Sequence, residues 1–330
     1  MNRMETTGTS SRLHERREAV LKLRRMLARC GFFVSDDYGV RGLSFDIICR
    51  RDNLLLVVKV MVNIDGFSPS NAAELNTLAR VLKGAPVVVG DRCGSGPLSD
   101  GIIYLRHGIP IMNFATIREY FEEGVPPFIF AAPGGLFAKI DPEILSKVRR
   151  ERGLSLGAMA TIAGVSKKAI QMYEAGAISA NLPVVDRLEK YLGEPIAMPI
   201  NPFGMSEGVE TVPTSWEDEG TPFKRKVFKK LAGLGYKIIH TRRCPFDAIS
   251  ESQLRATVLL TGVGQADGEC LFKARVIANI SRITETDGVL FLDRRLSREN
   301  ISGTPVISRD ELHRIHDEDK IVRLIHERRR

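Results

Sequence analysis

One segment, residues 145–193, constrains this chain more than any other, because its apolar residues recur at helical spacing on both sides of a glycine turn. The spacing predicts one short helix around residues 159–162 and a second around residues 169–173. Between them, Gly164-Val165-Ser166 supplies a tight turn followed by a serine N-cap. Two short helices joined in this way form a helix-turn-helix.

The second helix leaves polar side chains on its outward face. Lysines and a glutamine there suit the phosphates and base edges of a major groove. Basic residues on the preceding helix, and the serines that start the two central helices, complete the predicted set. The predicted DNA-binding residues are Lys147, Arg149, Arg150, Ser155, Ser166, Lys167, Lys168, Gln171 and Met172.

This segment resembles the Cro/lambda-repressor family of helix-turn-helix domains. The matching residues include Leu154-Ser155, Met159-Ala160, Gly164-Val165-Ser166, Tyr173-Glu174-x-Gly176 and Leu192-Gly193. The resemblance implies a five-helix, lambda-repressor-like domain over residues 138–195 that binds double-stranded DNA.

The sequence also departs from that family pattern. Leu156-Gly157 stands where the family often has a glutamine followed by an acidic residue, and the glutamine contacts the DNA backbone. A helical bundle that keeps the register but only mediates association is the alternative.

Charge is spread over the chain rather than concentrated in this segment. The 330 residues carry 48 Lys and Arg against 40 Asp and Glu, a formal charge of +8 that favours polyanionic partners. Residues 141–200 hold eight basic and seven acidic residues. DNA affinity would therefore need local clustering of cations or help from the flanking regions.

Other features limit the class of protein. Five cysteines are scattered without a CxxC pair, and His313 and His316 lack nearby cysteine ligands, so we predict no metal site and no cofactor. No apolar run is long enough to span a membrane, and the first residues are polar. These features predict a cytoplasmic protein without a membrane partner.

Glycine and proline clusters divide the chain into blocks. We predict a disordered tail over 1–11, an α/β domain over 12–130, the helix-turn-helix domain over 138–195, a linker over 196–220 and a second α/β domain over 221–330. Trp216, in the linker, is expected to dock on a neighbouring domain.

The two α/β blocks look like diverged copies of one another. Gly31-Phe32 and Gly235-Tyr236 end similar basic helices, Phe45-Asp46 and Phe246-Asp247 precede apolar strands, and Asp91-Arg92 and Asp293-Arg294 end later strands. The order of these signals is the same in both blocks. We therefore predict one αβ topology in residues 12–125 and 221–318.

The first block resembles the restriction-endonuclease-like fold of the PD-(D/E)XK nucleases, in which an aspartate and a following Glu-x-Lys gather a divalent metal. Asp46 stands at the first position, but Lys59 and Met61 occupy the Glu-x-Lys site. An ammonium in place of a carboxylate repels the metal, so we expect Lys59 to form a structural ion pair with Asp46 instead. Asp247 is the matching remnant in the second α/β block, where the next strand offers neither a carboxylate nor a lysine.

The layout of the whole chain is similar to archaeal helix-turn-helix transcriptional regulators. It predicts a sequence-specific DNA-binding regulator with catalytically inactive flanking domains and no enzyme activity. One module buries too little surface for tight specific binding, so we expect a homodimer that reads two half-sites. One alternative is a DNA-targeted nuclease that uses Asp46, Asp65 or Glu74 as substitute metal ligands. The other is an interaction scaffold whose α/β domains bind a protein of the transcription machinery.

Overall fold

The computed structural model describes residues 4–40, 42–205, 220–255, 257–265, 267–294 and 298–329, with side chains from residue 14 onward. Helices and strands alternate on either side of a helical segment, and the strands form two sheets. This mixed α/β architecture agrees with the fold class predicted from the apolar runs.

The helices of the described residues begin in most cases at a polar cap. They are α1 (Met4–Arg29), α2 (Pro69–Val81), α3 (Phe114–Arg118), α4 (Pro142–Glu151), α5 (Leu156–Ala163), α6 (Lys167–Glu174), α7 (Leu182–Leu192), α8 (Pro222–Gly233), α9 (Gly268–Thr284), α10 (Arg309–His313) and α11 (Glu318–Arg328).

The strands include long, largely apolar runs and short edge pairs. They are β1 (Phe33–Val34), β2 (Ile47–Arg51), β3 (Leu54–Asn63), β4 (Ala85–Cys93), β5 (Gly96–Pro97), β6 (Ile102–Arg106), β7 (Ile109–Met112), β8 (Ile129–Ala132), β9 (Gly135–Ala138), β10 (Ala180–Asn181), β11 (Tyr236–His240), β12 (Ala248–Ser252), β13 (Val258–Gly264), β14 (Asp287–Leu292), β15 (Asn300–Ile301) and β16 (Thr304–Ser308).

In the first α/β block, β1, β2 and β3 pair antiparallel in that order. Further along the chain, β4 pairs in parallel with β7, and β7 pairs antiparallel with β6. The pairing then continues through β8 and β9, which lead into the helical segment, and through β10, which lies within that segment between α6 and α7. Most residues of strand β3 are apolar, and its central residues are buried, as expected for a strand inside a covered sheet.

The C-terminal block has one sheet in the order β11-β12-β13-β14-β16-β15. Strands β11 to β13 are antiparallel, β13, β14 and β16 are mutually parallel where they pair, and β15 is antiparallel to β16. Helices α8 and α11 close one core of this block, with Phe228, Leu231 and Ile321 fully buried against Phe291.

The central segment, residues 138–195, contains four helices, α4 to α7, rather than the five implied by the family resemblance. The chain after α7 is extended. Pro195 and Pro199 disfavour a helix, and the residues between them pair with residues 139–141, which precede α4. The Asp141 N–H donates to the Ile196 carbonyl at 2.8 Å, and the Met198 N–H donates to the Lys139 carbonyl at 2.8 Å. The helix that the resemblance places last, over residues 182–193, is α7. The missing helix of the expected five would lie between α6 and α7, where the chain forms turns and the short strand β10.

The described chain falls into two compact units, one with residues 1–60, 68–86 and 208–330 and the other with residues 61–67 and 87–207. The first α/β block is thus divided between the two units. The sequence predicted one continuous domain over 12–130 instead. Helix α1 begins at Met4, so the expected disordered tail does not hold for residues 4–11, where no proline interrupts the helix.

Residues 196–205 of the expected linker are ordered. Ile196 and Ile200 are buried, and Ile196 belongs to the core of the helical segment, so apolar burial fixes this part of the chain. Residues 206–219, which include Trp216, lie outside the described residues. In the described part of the chain, no helix combines the length and the apolar character that crossing a bilayer requires.

Candidate nucleic-acid interface

Two serines start the central helices of the helix-turn-helix. The Ser155 hydroxyl accepts the Ala158 N–H at 3.0 Å, and the Ser166 hydroxyl accepts the Ala169 N–H at 3.1 Å. Gly164 ends α5 with φ of 68°, a left-handed conformation that favours glycine. The predicted turn is therefore present, and both serines lie exposed at helix N-termini.

Arg187 on α7 holds this turn from the other side. Its Nε and Nη2 atoms donate to the Ala163 carbonyl at 2.9 and 2.6 Å. The bond satisfies a carbonyl that the end of α5 leaves without a helical partner. Sequence reasoning missed Arg187, because its partner lies 24 residues away and no local pattern connects them.

Helix α6 presents two distinct faces. Ile170 and Tyr173 are buried in the core of the module, and burial raises the pKa of Tyr173. Lys167, Lys168 and Gln171 are exposed on the other face. Met172, predicted to join them, is half-buried. The exposed face of α6, defined by Ser166, Lys167, Lys168 and Gln171, offers hydroxyl, ammonium and amide groups to a partner.

The basic residues of α4 have different surroundings. Arg150 is exposed, and Lys147 is 72% exposed with its Nζ 4.0 Å from the Glu151 carboxylate. Arg149 is turned inward instead. Its Nε and Nη2 donate to the two carboxylate oxygens of Glu174 at 2.5 and 2.9 Å.

This bidentate pair corrects the prediction that Arg149 contacts DNA. Its side chain and that of Glu174 are each 14% exposed, and the hydrogen bonds to Glu174 raise the pKa of Arg149. A third bond, from Nη1 to the Leu154 carbonyl at 3.1 Å, completes its hydrogen bonding. Arg149 therefore joins α4 to α6 and is not available to phosphates.

The aspartate remnant of the first block is neutralised by basic residues. The Asp46 carboxylate accepts the Val60 N–H at 2.8 Å, and the Lys59 Nζ lies 3.5 Å away. Arg16 of α1 donates to the other oxygen. The ion pair expected between Lys59 and Asp46 is present, and burial lowers the pKa of Lys59 against the opposing attraction of Asp46.

The second remnant has a similar arrangement. The Asp247 carboxylate accepts the Val263 N–H at 2.8 Å, and the Nζ atoms of Lys224 and Lys273 lie 2.9 and 3.2 Å from its oxygens. Although burial opposes the charged form of Lys273, Asp247 and Glu269 raise its pKa. Both lysines come from helices, α8 and α9, and the adjacent strand gave no signal for them.

The other carboxylates considered as metal ligands have separate surroundings. Asp65 accepts from Arg106 at 2.9 Å and from the Gly94 N–H at 2.5 Å, and the bond from Arg106 lowers the pKa of Asp65. Glu74 lines a cavity of about 300 Å³, and burial raises its pKa. Met61 is half-buried on β3. Within the described ranges, no three His, Cys, Asp or Glu side chains are grouped so as to hold a metal ion.

Two parts of the chain match known domain families. Residues 16–127 match the PD-(D/E)XK superfamily domain, and residues 145–198 match a helix-turn-helix domain. Both matches agree with the resemblances found from the motifs. The second covers the serine caps, the Gly164 turn and the exposed face of α6.

Whole-length relatives occur in archaea. A protein of Methanococcoides burtonii named "Putative HTH-type transcriptional regulatory protein" is 35% identical over 92% of this chain and 94% of its own length. Relatives with the same type of name from Natronomonas pharaonis and Halorubrum lacusprofundi are each 36% identical, over 92% of this chain and 95% and 94% of their own lengths. No solved structure matches the chain.

Proposed function

The chain belongs to this archaeal family of HTH-type transcriptional regulatory proteins, and from that membership we propose that it is a sequence-specific DNA-binding regulator acting through its central helix-turn-helix. The observation that carries the proposal is the exposed face of α6. Its lysines and Gln171 have no carboxylate or amide partner in the fully described helical segment, so they remain available to a ligand.

The side chains of this face divide by chemistry. The Gln171 amide has both donors and acceptors and can form two hydrogen bonds to an adenine edge. Lys167 and Lys168 are point charges suited to phosphates, and Ser166 adds a hydroxyl at the positive end of α6. Lys147 and Arg150 on α4 are the proposed contacts to the flanking backbone, and Ser155 is a further one at the start of α5.

We propose that the protein acts as a homodimer, because one helix-turn-helix buries little surface and paired half-sites add affinity and specificity. Large apolar residues exposed on the helical segment support this proposal. Tyr191 of α7 is 51% exposed, and Ile144 and Ile178 are 39% and 37% exposed. Such residues are candidates for burial between two copies.

We also propose that the flanking α/β domains are catalytically inactive. A metal ion bound at Asp46 would have to displace Arg16 and face the ammonium of Lys59. Lys224 and Lys273 occupy the oxygens of Asp247 in the same way.

We infer a duplication of one αβ unit from the parallel features of the two blocks. In each block, three antiparallel strands are followed by a fourth that pairs in parallel with a later strand, β4 with β7 and β14 with β16. In each, the aspartate N–H donates to the opposite strand, to Val58 or Thr261, and the carboxylate accepts an N–H two residues further on. A cation from the first helix of the block, Arg16 or Lys224, reaches Oδ1.

Selection of bound sequences from a random pool of duplex DNA tests the proposed function. The full chain is expected to enrich one motif, with two half-sites if it acts as a dimer. A pool that shows no enrichment would contradict sequence-specific regulation.

Two single variants then separate base recognition from backbone contact. Gln171→Ala should cost about 1–3 kcal/mol on the selected sequence and relax the preference at one base pair. Lys168→Ala should weaken binding to selected and random duplexes alike and reduce the salt slope by about 1. Equal losses on both duplexes for Gln171→Ala would remove its role in base recognition.

A nuclease is the second candidate function, favoured by the match of residues 16–127 to the PD-(D/E)XK superfamily domain. Incubation of plasmid DNA with the full chain in Mg²⁺ or Mn²⁺ separates the two. Intact DNA is expected. Metal-dependent cleavage that disappears in Asp46→Ala would make the nuclease the better assignment.

A further inference from the structure

The helical segment alone has few cations to offer to DNA. Among its basic residues, Arg149 is bound to Glu174, and Lys190 lies 2.7 Å from Asp186. Arg152 donates to the carbonyls of Tyr191 and Leu192, and Arg187 donates to Ala163. These bonds leave Lys139, Lys167, Lys168, Arg150 and the weakly paired Lys147 for phosphates.

Helix α8 of the C-terminal block has the opposite character. Its twelve residues, PFKRKVFKKLAG, include five basic residues and no acidic residue. Phe223, Val227, Phe228 and Leu231 are buried in the core, which fixes the orientation of the helix. The polar side therefore has a defined direction.

The basic residues of α8 do not share one role. Lys224 lies against Asp247 at 2.9 Å and is 16% exposed. Arg225, Lys226 and Lys229 are exposed, and Lys230 is half-buried. Within the described residues, none of these four lies within ion-pair distance of a carboxylate.

Like charges repeat along this side at helical spacing. Arg225 and Lys229, and likewise Lys226 and Lys230, are four residues apart and so lie on the same side of adjacent turns. Like-charged pairs at this spacing destabilise a helix. A ligand with closely spaced negative charges would relieve this repulsion.

Two histidines line a cleft next to this positive side. Lys226, Lys229 and Lys230 line a cavity of about 390 Å³ with His313 and His316, and no carboxylate is among its described lining residues. The Lys226 Nζ lies 2.7 Å from the His313 Nε2, so a donor and a ring nitrogen meet at its wall. We name this surface the α8 basic face, defined by Arg225, Lys226, Lys229, Lys230, His313 and His316.

We propose that the α8 basic face binds the phosphate backbone of duplex DNA and supplies contacts that the helix-turn-helix lacks. This inference rests on the proposed DNA-binding function. Ammonium and guanidinium groups without a base-reading amide beside them recognise phosphate charge rather than sequence. The face therefore adds affinity and salt dependence, and the exposed face of α6 adds specificity.

The test compares three charge variants of the full chain on the duplex selected by the wild type and on a random duplex. The triple variant Lys226→Gln, Lys229→Gln, Lys230→Gln should lower the slope of log K against log salt by about 0.9 for each lost phosphate, up to about 2.7. Affinity for the two duplexes should fall by the same factor, so the base preference is unchanged.

Two controls accompany the triple variant. Lys226→Arg, Lys229→Arg, Lys230→Arg keeps the charge and should keep the wild-type slope. Lys237→Gln, Lys320→Gln, Arg323→Gln removes the same charge from exposed positions elsewhere in the same compact unit and should change the slope much less. Circular dichroism and melting of each variant establish that it is folded.

The outcomes separate this inference from the proposed function. A wild-type chain that selects no motif contradicts the proposed function. A wild type that selects a motif, with the glutamine triple variant keeping its salt slope, overturns only the role of the α8 basic face. Equal slope losses in the glutamine triple variant and in the control elsewhere in the unit also overturn it, because net charge alone would then explain the effect.

Discussion

Glu174 holds both nitrogens on one edge of the Arg149 guanidinium in a site where each side chain is 14% exposed. Removing one partner of such a shielded pair leaves a charge without compensation. We expect Arg149→Ala to lower the free energy of unfolding of the helical segment by about 1–3 kcal/mol. The salt slope of DNA binding should be unchanged. Calorimetric melting and DNA titration at several salt concentrations measure the two effects.

Arg150 provides the matched control, because it is the next residue on α4 and is exposed. Arg150→Ala should change the free energy of unfolding by less than about 0.5 kcal/mol and reduce the salt slope by about 1. If Arg149→Ala reduced the slope and left the melting temperature unchanged, Arg149 would be a phosphate contact after all.

Glu311 makes the stability of the C-terminal block depend on pH. Burial opposes its ionisation, but hydrogen bonds from Arg328 and Ser308 outweigh burial and lower the pKa of Glu311 from 4.5 to about 2. Because the folded-state pKa is depressed, this stabilisation is present above about pH 4.5 and is lost as the pH falls towards 2. Glu311→Gln should have a lower melting temperature than the wild type at pH 7. The difference between the two melting temperatures should narrow between pH 5 and pH 2.

Thermal melting across this pH range checks the expectation. Asp310→Asn is the control, since Asp310 is the neighbouring acidic residue on α10 and is exposed. The difference in melting temperature between Asp310→Asn and the wild type should stay nearly constant with pH. A constant gap for Glu311→Gln would mean that its carboxylate does not titrate with folding.

At the scale of elements, the turn between α5 and α6 depends on the backbone of Gly164. Its φ is 68°, and an added Cβ would lie 3.3 Å from the Arg187 Nη2. We expect Gly164→Ala to cost about 1–2 kcal/mol of stability, and more if Arg187 is displaced from the Ala163 carbonyl. The same variant should weaken DNA binding because α6 would shift.

Gly157 lies in the same helix pair and should respond in the opposite direction. It is within α5, and an added Cβ would meet only the Ser155 hydroxyl at 3.7 Å. Gly157→Ala should therefore raise the free energy of unfolding by about 0.5–1 kcal/mol. Chemical denaturation of both variants measures the contrast, and a stabilising Gly164→Ala would show that the turn does not require glycine.

Elements with local signals could be predicted from the sequence. The spacing of apolar residues predicts helices α5 and α6, and Ser166, a typical N-cap residue, predicts the start of α6. The extended segment after α7 could not be predicted from helical periodicity, because it depends on pairing with residues 139–141, far back in the chain.

The candidate site shows the same division between local and distant information. Exposure of Lys167, Lys168 and Gln171 follows from the period of one helix. The inward turn of Arg149 does not, because Glu174 lies 25 residues away and a charge run gives no partner. Lys273 likewise reaches Asp247 from 26 residues further along the chain.

At the scale of the whole molecule, each α/β block contains one buried aspartate balanced by two cations. Asp46 is 7% and Asp247 10% exposed at the side chain. Asp46→Asn and Asp247→Asn should each lower the free energy of unfolding by about 3–5 kcal/mol, because the shielded cations would lose the carboxylate that they share, although Lys273 keeps Glu269 as a second partner. A metal chelator should not change the melting temperature of the wild type.

Asp186→Asn serves as the surface control. Its partner Lys190 is 75% exposed, so the loss should stay below about 1 kcal/mol. Calorimetry with and without chelator checks all three variants. A wild type that melted at a lower temperature in chelator would show that a metal stabilises one of the blocks.

The aspartate of the first block also contacts two elements that are far apart in the sequence. Asp46 follows the loop before β2, yet its carboxylate binds the Val60 N–H of β3 and Arg16 of α1. Slippage of β3 by one residue would move that N–H away and turn every side chain of the strand to the opposite face. Helix α1 can complete its bond to Asp46 only on a correctly aligned strand pair, so this one side chain makes the position of the helix depend on the register of the strands.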